Sequence, residues 1–233
     1  MGAVVLAAGA AAYVALGTSV VGVSHVDIRG AGYVGDDAIR VAAAISPNAP
    51  LLGLDTGAVA RRVEAIPAIA HADVSRRLPS TIVIDVRLRV AVAAVPLAGP
   101  ATNPASTGDS VSKAAPAPPA AYRLVDRTGV VFRTVSRRPS ELPIIEVTSP
   151  GPQDGSTLGA LAVLASLPAS LRDDLDHITA PAPAEIALTL KDGREVVWGD
   201  ATDNATKASV AVSLLHHSGE VIDVSAPNLV TVR

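Results

Sequence analysis

Asp173, Asp174, Asp176 and His177 form the densest cluster of ionisable side chains in the sequence. Converging in a cleft, such a set would hold a cation or exchange protons with a substrate. Strung along a loop or helix end it is a solvated polar surface, and that is the expectation here. His216 and His217 are adjacent, so they leave a helix on different faces and lack the i, i+4 spacing that presents two imidazoles to zinc. Ser75, Ser166 and Ser213 stand in no nucleophile-elbow motif. No glycine-rich loop has phosphate-cradling spacing. The absence of Cys excludes disulfides and thiolate metal sites. Arg76-Arg77 has partner acids or lipid head groups open to it, against the expected reading of a plain strand surface. The residues therefore offer no catalytic group, no metal ligand set, no cofactor and no small-molecule substrate.

The elements that carry these residues begin with an uncharged stretch. Met1 to Ser24 contains no Asp, Glu, Lys or Arg. A helix of about 20 such residues spans roughly 30 Å of hydrocarbon and satisfies its own backbone. The expectation is an uncleaved transmembrane anchor over 2–23. The rivals are a cleaved secretory signal, whose apolar region is shorter and follows a basic stretch, and a buried core helix. Beyond it, 49% apolar but only 2% aromatic residues mean that Ala and Val fill the core, each burying less area than Leu or Phe. A net charge of −3 argues against nucleic acid as a partner. Residues 24–95 hold 8 Arg against 7 acids, and residues 96–233 hold 11 bases against 15 acids; neither imbalance names a partner.

Val26-Asp27-Ile28-Arg29 alternates as a half-buried strand. Asp36 or Asp37 caps a helix reaching about Ile45, and Asp55 or Thr56 caps another with Val59, Val63 and Ile66 on one face. After Leu78-Pro79-Ser80 comes the clearest period-two signal: Ile82, Ile84, Val86, Leu88 and Val90 face one way, and Val83, Asp85, Arg87 and Arg89 the other. This reads β-α-α-β-β over 24–93. The next segment, 94–121, is Pro- and Ala-rich, with six Pro between Pro96 and Ala121. It cannot bury enough to offset its ordering entropy and is expected to be a flexible insertion. From 122 to 233 hairpins are expected around Asp126-Arg127-Thr128-Gly129 and Lys191-Asp192-Gly193-Arg194. Helices are expected from Ser156 or Thr157 and from Asp203. Strands at Val221–Val224 and Leu229–Val232 close the chain. The fold class is α+β: an N-terminal transmembrane helix, a small β-α-α-β-β domain, then a mixed β-sheet domain with flanking helices. A chain-terminal strand often lies at a sheet edge, where a partner segment can add. Asn228, Leu229, Val230, Thr231 and Val232 are the candidate residues; the plainer reading is that they complete the sheet.

Pro50-Leu51-Leu52, Asp55-Thr56, Ile66-Pro67, Ala72-Asp73-Val74-Ser75-Arg76 and Leu78-Pro79-Ser80-Thr81-Ile82 together resemble the POTRA domain of the bacterial FtsQ/DivIB cell-division proteins. The second half is similar to the same family through Tyr122-Arg123-Leu124-Val125-Asp126, Gly129-Val130-Val131-Phe132, Leu142-Pro143, Leu188 to Arg194, Lys207, Leu214-Leu215 and Ile222-Asp223-Val224. Departures are Ala68 and Leu78 where the family often has aromatics, Leu88-Arg89-Val90-Ala91 in place of Glu-Arg-x-Pro, and Ala182-Pro183-Ala184 where an Arg is usual. The resemblance implies a POTRA domain and an FtsQ-type β domain in a non-catalytic scaffold joining early and late division proteins at the septum. It implies FtsB/FtsL-type small coiled-coil membrane proteins as partners, acting through them on septal peptidoglycan synthesis. It also implies a single-pass protein of the bacterial cytoplasmic membrane, N-terminus inside and bulk outside, so that the membrane itself is a partner. The alternatives are a POTRA-type polypeptide transport or chaperone module and, third, a cell-envelope hydrolase.

Overall fold

The computed structural model describes residues 22–97, 121–215, 219–226 and 231–232. The chain divides into two compact units between Arg89 and Val90.

In the first unit, β1 (His25–Arg29), α1 (Asp36–Ala43), α2 (Thr56–Glu64), β2 (Ile69–Arg77) and β3 (Thr81–Leu88) follow in that order. The sheet order is β1-β3-β2, with β1 parallel and β2 antiparallel to β3. Ile84 and Val86 lie opposite Val74 and Ala72 across the β2–β3 ladder, Ile82 lies opposite Arg76, and all three aliphatics pack with Ile39, Ala43, Val59 and Val63 from the helices. Each fully buried Val or Ile among them contributes about 1.5–3 kcal/mol, and the alanines less. Asp55 starts α2 by accepting the Ala58 N–H at 2.9 Å, a cap worth about 1 kcal/mol. Three arginines then tie the loops down. Arg62 donates twice to the Ala43 carbonyl at the end of α1, at 3.1 and 2.6 Å. Arg76 reaches the carbonyls of Leu51 and Leu54 at 2.9 and 2.5 Å, and Arg89 reaches that of Pro67 at 2.9 Å.

The second unit holds β4 (Ala93–Pro96), β5 (Tyr122–Val125), β6 (Val131–Val135), β7 (Ile144–Glu146), α3 (Gly155–Ser166), α4 (Ala169–Asp173), β8 (Leu175–Thr179), β9 (Ile186–Leu190), β10 (Glu195–Gly199), α5 (Asn204–Leu214), β11 (Val221–Asp223) and β12 (Thr231–Val232). These strands form one mixed sheet in the order β12-β11-β10-β9-β8-β7-β4-β5-β6. Its main core packs Leu161, Val163 and Leu164 of α3 and Ala208 and Ala211 of α5 against Ile178, Ile186, Leu188, Val196, Trp198 and Ile222. A smaller cluster gathers Ala94, Tyr122, Leu124 and Ile144.

Four expectations need correction. The transmembrane helix expected over 2–23 lies outside the described residues except at its end, and there it is not helix. Gly22 bridges Pro50, the Val23 N–H donates to the Ala49 carbonyl at 2.9 Å, and the Val23 side chain is 5% exposed within the first core. Among the described residues no helix is long and apolar enough to cross a membrane. The longest, α3, has 12 residues, roughly 18 Å against the roughly 30 Å of a bilayer core. The single-pass topology, the membrane as a partner, and placement in the bacterial cytoplasmic membrane with the bulk extracytoplasmic therefore have no spanning helix among the described residues to rest on.

Smaller differences have local causes. Ala93–Pro96, expected at the edge of a flexible insertion, is a strand: Ala94 lies opposite Leu124 of β5 and Ile144 of β7, and Ala93, Ala94 and Val95 are buried. Val90 lies beyond the end of β3 and is 76% exposed rather than on the inner face. Residues 98–120 fall outside the described set.

Candidate partner-binding edge

β12 is the outermost strand of the second sheet, and its neighbour β11 fixes it. Thr231 lies opposite Asp223 and Val232 opposite Ile222 in an antiparallel pair. β11 runs parallel to β10, with Val221, Ile222 and Asp223 against Glu195, Val196 and Val197. Ile222, Val224, Val196 and Trp198 are fully buried, so the two strands that present the edge are anchored through their inward faces. Of the five residues read as the candidate site, Thr231 and Val232 stand on this edge; Asn228, Leu229 and Val230 lie outside the described residues.

A polar lock at the end of β10 braces the same region. Lys207 of α5 is 1% exposed, and its ammonium donates to Asp200 Oδ1 at 2.8 Å and to the Asp200 carbonyl at 3.0 Å. The Thr202 hydroxyl and N–H donate to the same Oδ1 at 2.6 and 3.1 Å. These donors, Lys207 foremost, hold the Asp200 carboxyl well below the ordinary carboxylate range. Beside them the fully buried Trp198 donates its indole N–H to Asn204 Oδ1 at 2.8 Å. Gly199 has φ +76°, and a Cβ there would stand 2.9 Å from that of Ser225, which follows β11. Sequence reading singled out Lys207 only through the family likeness and missed the Trp198–Asn204 pair; an apolar helix carrying a lone Lys on its buried face was the available signal.

The other sequence candidates resolve into structural roles. Asp173 and Asp174 sit at the end of α4, while Asp176 and His177 lie on β8. Asp176 accepts from Arg138 at 2.7 Å and contacts His177 Nδ1 at 3.0 Å. These two, His177 first, lower its carboxyl below the usual value. Lys191 Nζ donates to the Asp173 carbonyl. The cluster thus ties β8 to its neighbouring loops. Among the described residues no group of three or more His, Cys, Asp or Glu is placed to hold a metal ion. His216 and His217 lie outside the described residues. The hydroxyls of Ser166 and Ser213 donate to their own helices, to Val163 and Ser209, and Ser75 is on the exposed side of β2. Arg76, read as a possible partner contact, is held on Leu51 and Leu54.

Comparison with known proteins supplies what geometry alone does not. The family model described as POTRA domain, FtsQ-type, matches residues 21–87, and that described as cell division protein FtsQ/DivIB, C-terminal, matches residues 118–225. A protein of Mycolicibacterium smegmatis named cell division protein FtsQ is 37% identical over 216 residues, covering 93% of this chain and 58% of that protein. The one of Mycobacterium tuberculosis is 37% identical over 207 residues, covering 88% and 59%. The one of Streptomyces griseus is 30% identical over 222 residues, covering 91% and 96%. The chain thus spans 58–59% of the length of the first two relatives and nearly all of the third.

Proposed function

The chain belongs to the FtsQ/DivIB family of bacterial cell-division proteins, and from that premise we propose that it is a non-catalytic scaffold that docks FtsB/FtsL-type small coiled-coil proteins by strand addition at β12. The observation supporting this is the outermost position of Thr231–Val232, paired on one side only among the described residues. An outermost strand keeps backbone donors and acceptors that a central strand spends on its neighbours. An extended partner segment takes affinity from those groups and specificity from alternate side chains. On this reading Asn228, Leu229, Val230, Thr231 and Val232 bind the partner. The docked complex then relays early division proteins to late ones and to septal peptidoglycan synthesis. The task requires no bond to be made or broken.

Titration of the purified chain with the cognate FtsB/FtsL-type complex tests the proposal. Val230→Pro removes a backbone donor and restricts the strand. It should weaken binding at least a hundredfold while Trp198 fluorescence stays native. Unaltered affinity in that folded variant would refute strand addition at this edge.

A further inference from the structure

We propose that the opposite edge of the second sheet, strand β6, is a docking strand for a second and different partner: an acidic, extended polypeptide segment. This goes beyond the reading of β12, which is eight strand positions away in the sheet order, and does not rest on it.

Two independent observations meet at β6. The first is topological. Among the described residues β6 pairs only with β5, so one side of its backbone faces away from the sheet. Its side chains are partly buried at Val131, Phe132 and Val135 and exposed at Arg133 and Thr134.

The second is a segregation of charge. From Ala121 to Ser140 the sequence has five Arg and one acid, Asp126. Asp126 is 5% exposed, and its Oδ1 accepts from the Thr128 N–H at 2.9 Å, the Thr128 hydroxyl at 2.7 Å and the Val130 N–H at 3.0 Å. Its charge is therefore engaged inside the β5–β6 turn. The rest of residues 90–233 carries fourteen acids against six bases. The hairpin is a basic island on an acidic unit.

Not all of that basic charge is already used. Arg138 pairs with Asp176 at 2.7 Å. Arg123, Arg127 and Arg137 take part in none of the salt bridges among the described residues. Arg123 lies opposite Thr134 in the ladder, Arg127 is in the turn, and Arg137 is two residues past the end of β6. β6 itself has five residues, an extended length of roughly 17 Å, room for about five residues of an added strand.

The two observations select the occupant together. An open edge flanked by like charges resists pairing with a second copy of itself, because the same charges would meet. A polyanion without a peptide backbone would satisfy the arginines and leave the ladder groups unpaired. An acidic strand satisfies both, with charge steering the encounter and the backbone fixing register.

The full chain, labelled for amide hydrogen exchange, tests this with three probes: a capped Glu-Val-Glu-Val-Glu-Val-Glu peptide, its Lys-Val counterpart, and dextran sulfate. The acidic peptide should bind saturably and slow exchange in β6 at least tenfold. The lysine peptide should bind at least tenfold more weakly. Arg127→Glu with Arg137→Glu, both exposed and outside the core, should weaken the acidic peptide about tenfold while Trp198 fluorescence stays native. No saturable binding of the acidic peptide, protection at β12 instead of β6, or dextran sulfate slowing β6 exchange as much as the peptide does would each overturn the proposal. Protection at β12 would do so while leaving the first edge intact.

Discussion

Ile222→Ala tests whether β11 is the strut that holds the β12 edge. Ile222 is fully buried, with Val196 beside it on β10 and Val232 beside it on β12. The change removes three carbons, about 2.4 kcal/mol of transfer free energy at roughly 0.8 per methylene. The unrelaxed part of the cavity adds to this, giving a loss of about 2.5–4 kcal/mol. Trp198 is the only tryptophan of the chain and lies fully buried in the same core. Its fluorescence in a urea titration therefore follows the second unit directly. With a slope of about 2 kcal/mol per molar urea, the midpoint should fall by roughly 1.2–2 M. Ile222→Val, which leaves most of the volume, should fall by roughly 0.3–0.7 M. A midpoint that moves less than about 0.3 M for Ile222→Ala would refute the reasoning, because the site would then be able to collapse or stand outside the cooperative core.

Lys207→Met should flatten the acid limb of stability. Lys207 is the first cause of the lowered Asp200 carboxyl, so the stability that this group contributes is complete above its unfolded value near 4 and is lost as pH falls through the lower folded value. Urea midpoints at pH 6, 4, 3 and 2 should show a shallower fall in the variant, and superimposable slopes would contradict the assignment. Asp126→Ala strands the Val130 and Thr128 donors and should cost about 2 kcal/mol in the same titration; a cost under about 0.5 kcal/mol would mean water replaces the carboxylate freely. Gly199→Ala places a Cβ in the left-handed region and against Ser225, so it should destabilise by about 1–2 kcal/mol or more, with a wild-type midpoint as the contrary result.

What the sequence revealed depended on how local each cause was. β3 was legible because Ile82, Ile84 and Val86 recur at every second position, with Asp85 and Arg87 exposed between and after them, and sit in the first core as that pattern requires; Val83, between Ile82 and Ile84, is buried as well. The two hairpins were legible from their turn residues, and α2 from Asp55, whose cap hydrogen bond is made within one helical turn. β4 was not legible: Ala-Ala-Val-Pro has no alternation and weak strand propensity, and it is a strand only because β5 and β7 flank it. β8 was hidden because a register shift between Leu175 and His177 breaks the period of two, leaving Asp176, just after Asp173 and Asp174, to look like part of a loop. Val23 belongs to a core rather than an anchor, a distinction that apolar composition cannot make. The Lys207–Asp200 and Trp198–Asn204 contacts need α5 laid against the end of β10, which no local pattern specifies. Counting charge by halves averaged away the basic hairpin, which shows only when the 20 residues around β6 are read alone.

The most direct test of the central claim is an isotope-edited nuclear Overhauser measurement on the complex with the FtsB/FtsL-type partner. Strand addition at β12 requires cross-strand contacts from partner amide and Hα protons to the backbone of Thr231 and Val232, together with slowed exchange at those amides. Partner contacts confined to helix surfaces, with exchange at Thr231 and Val232 unchanged on binding, would contradict it.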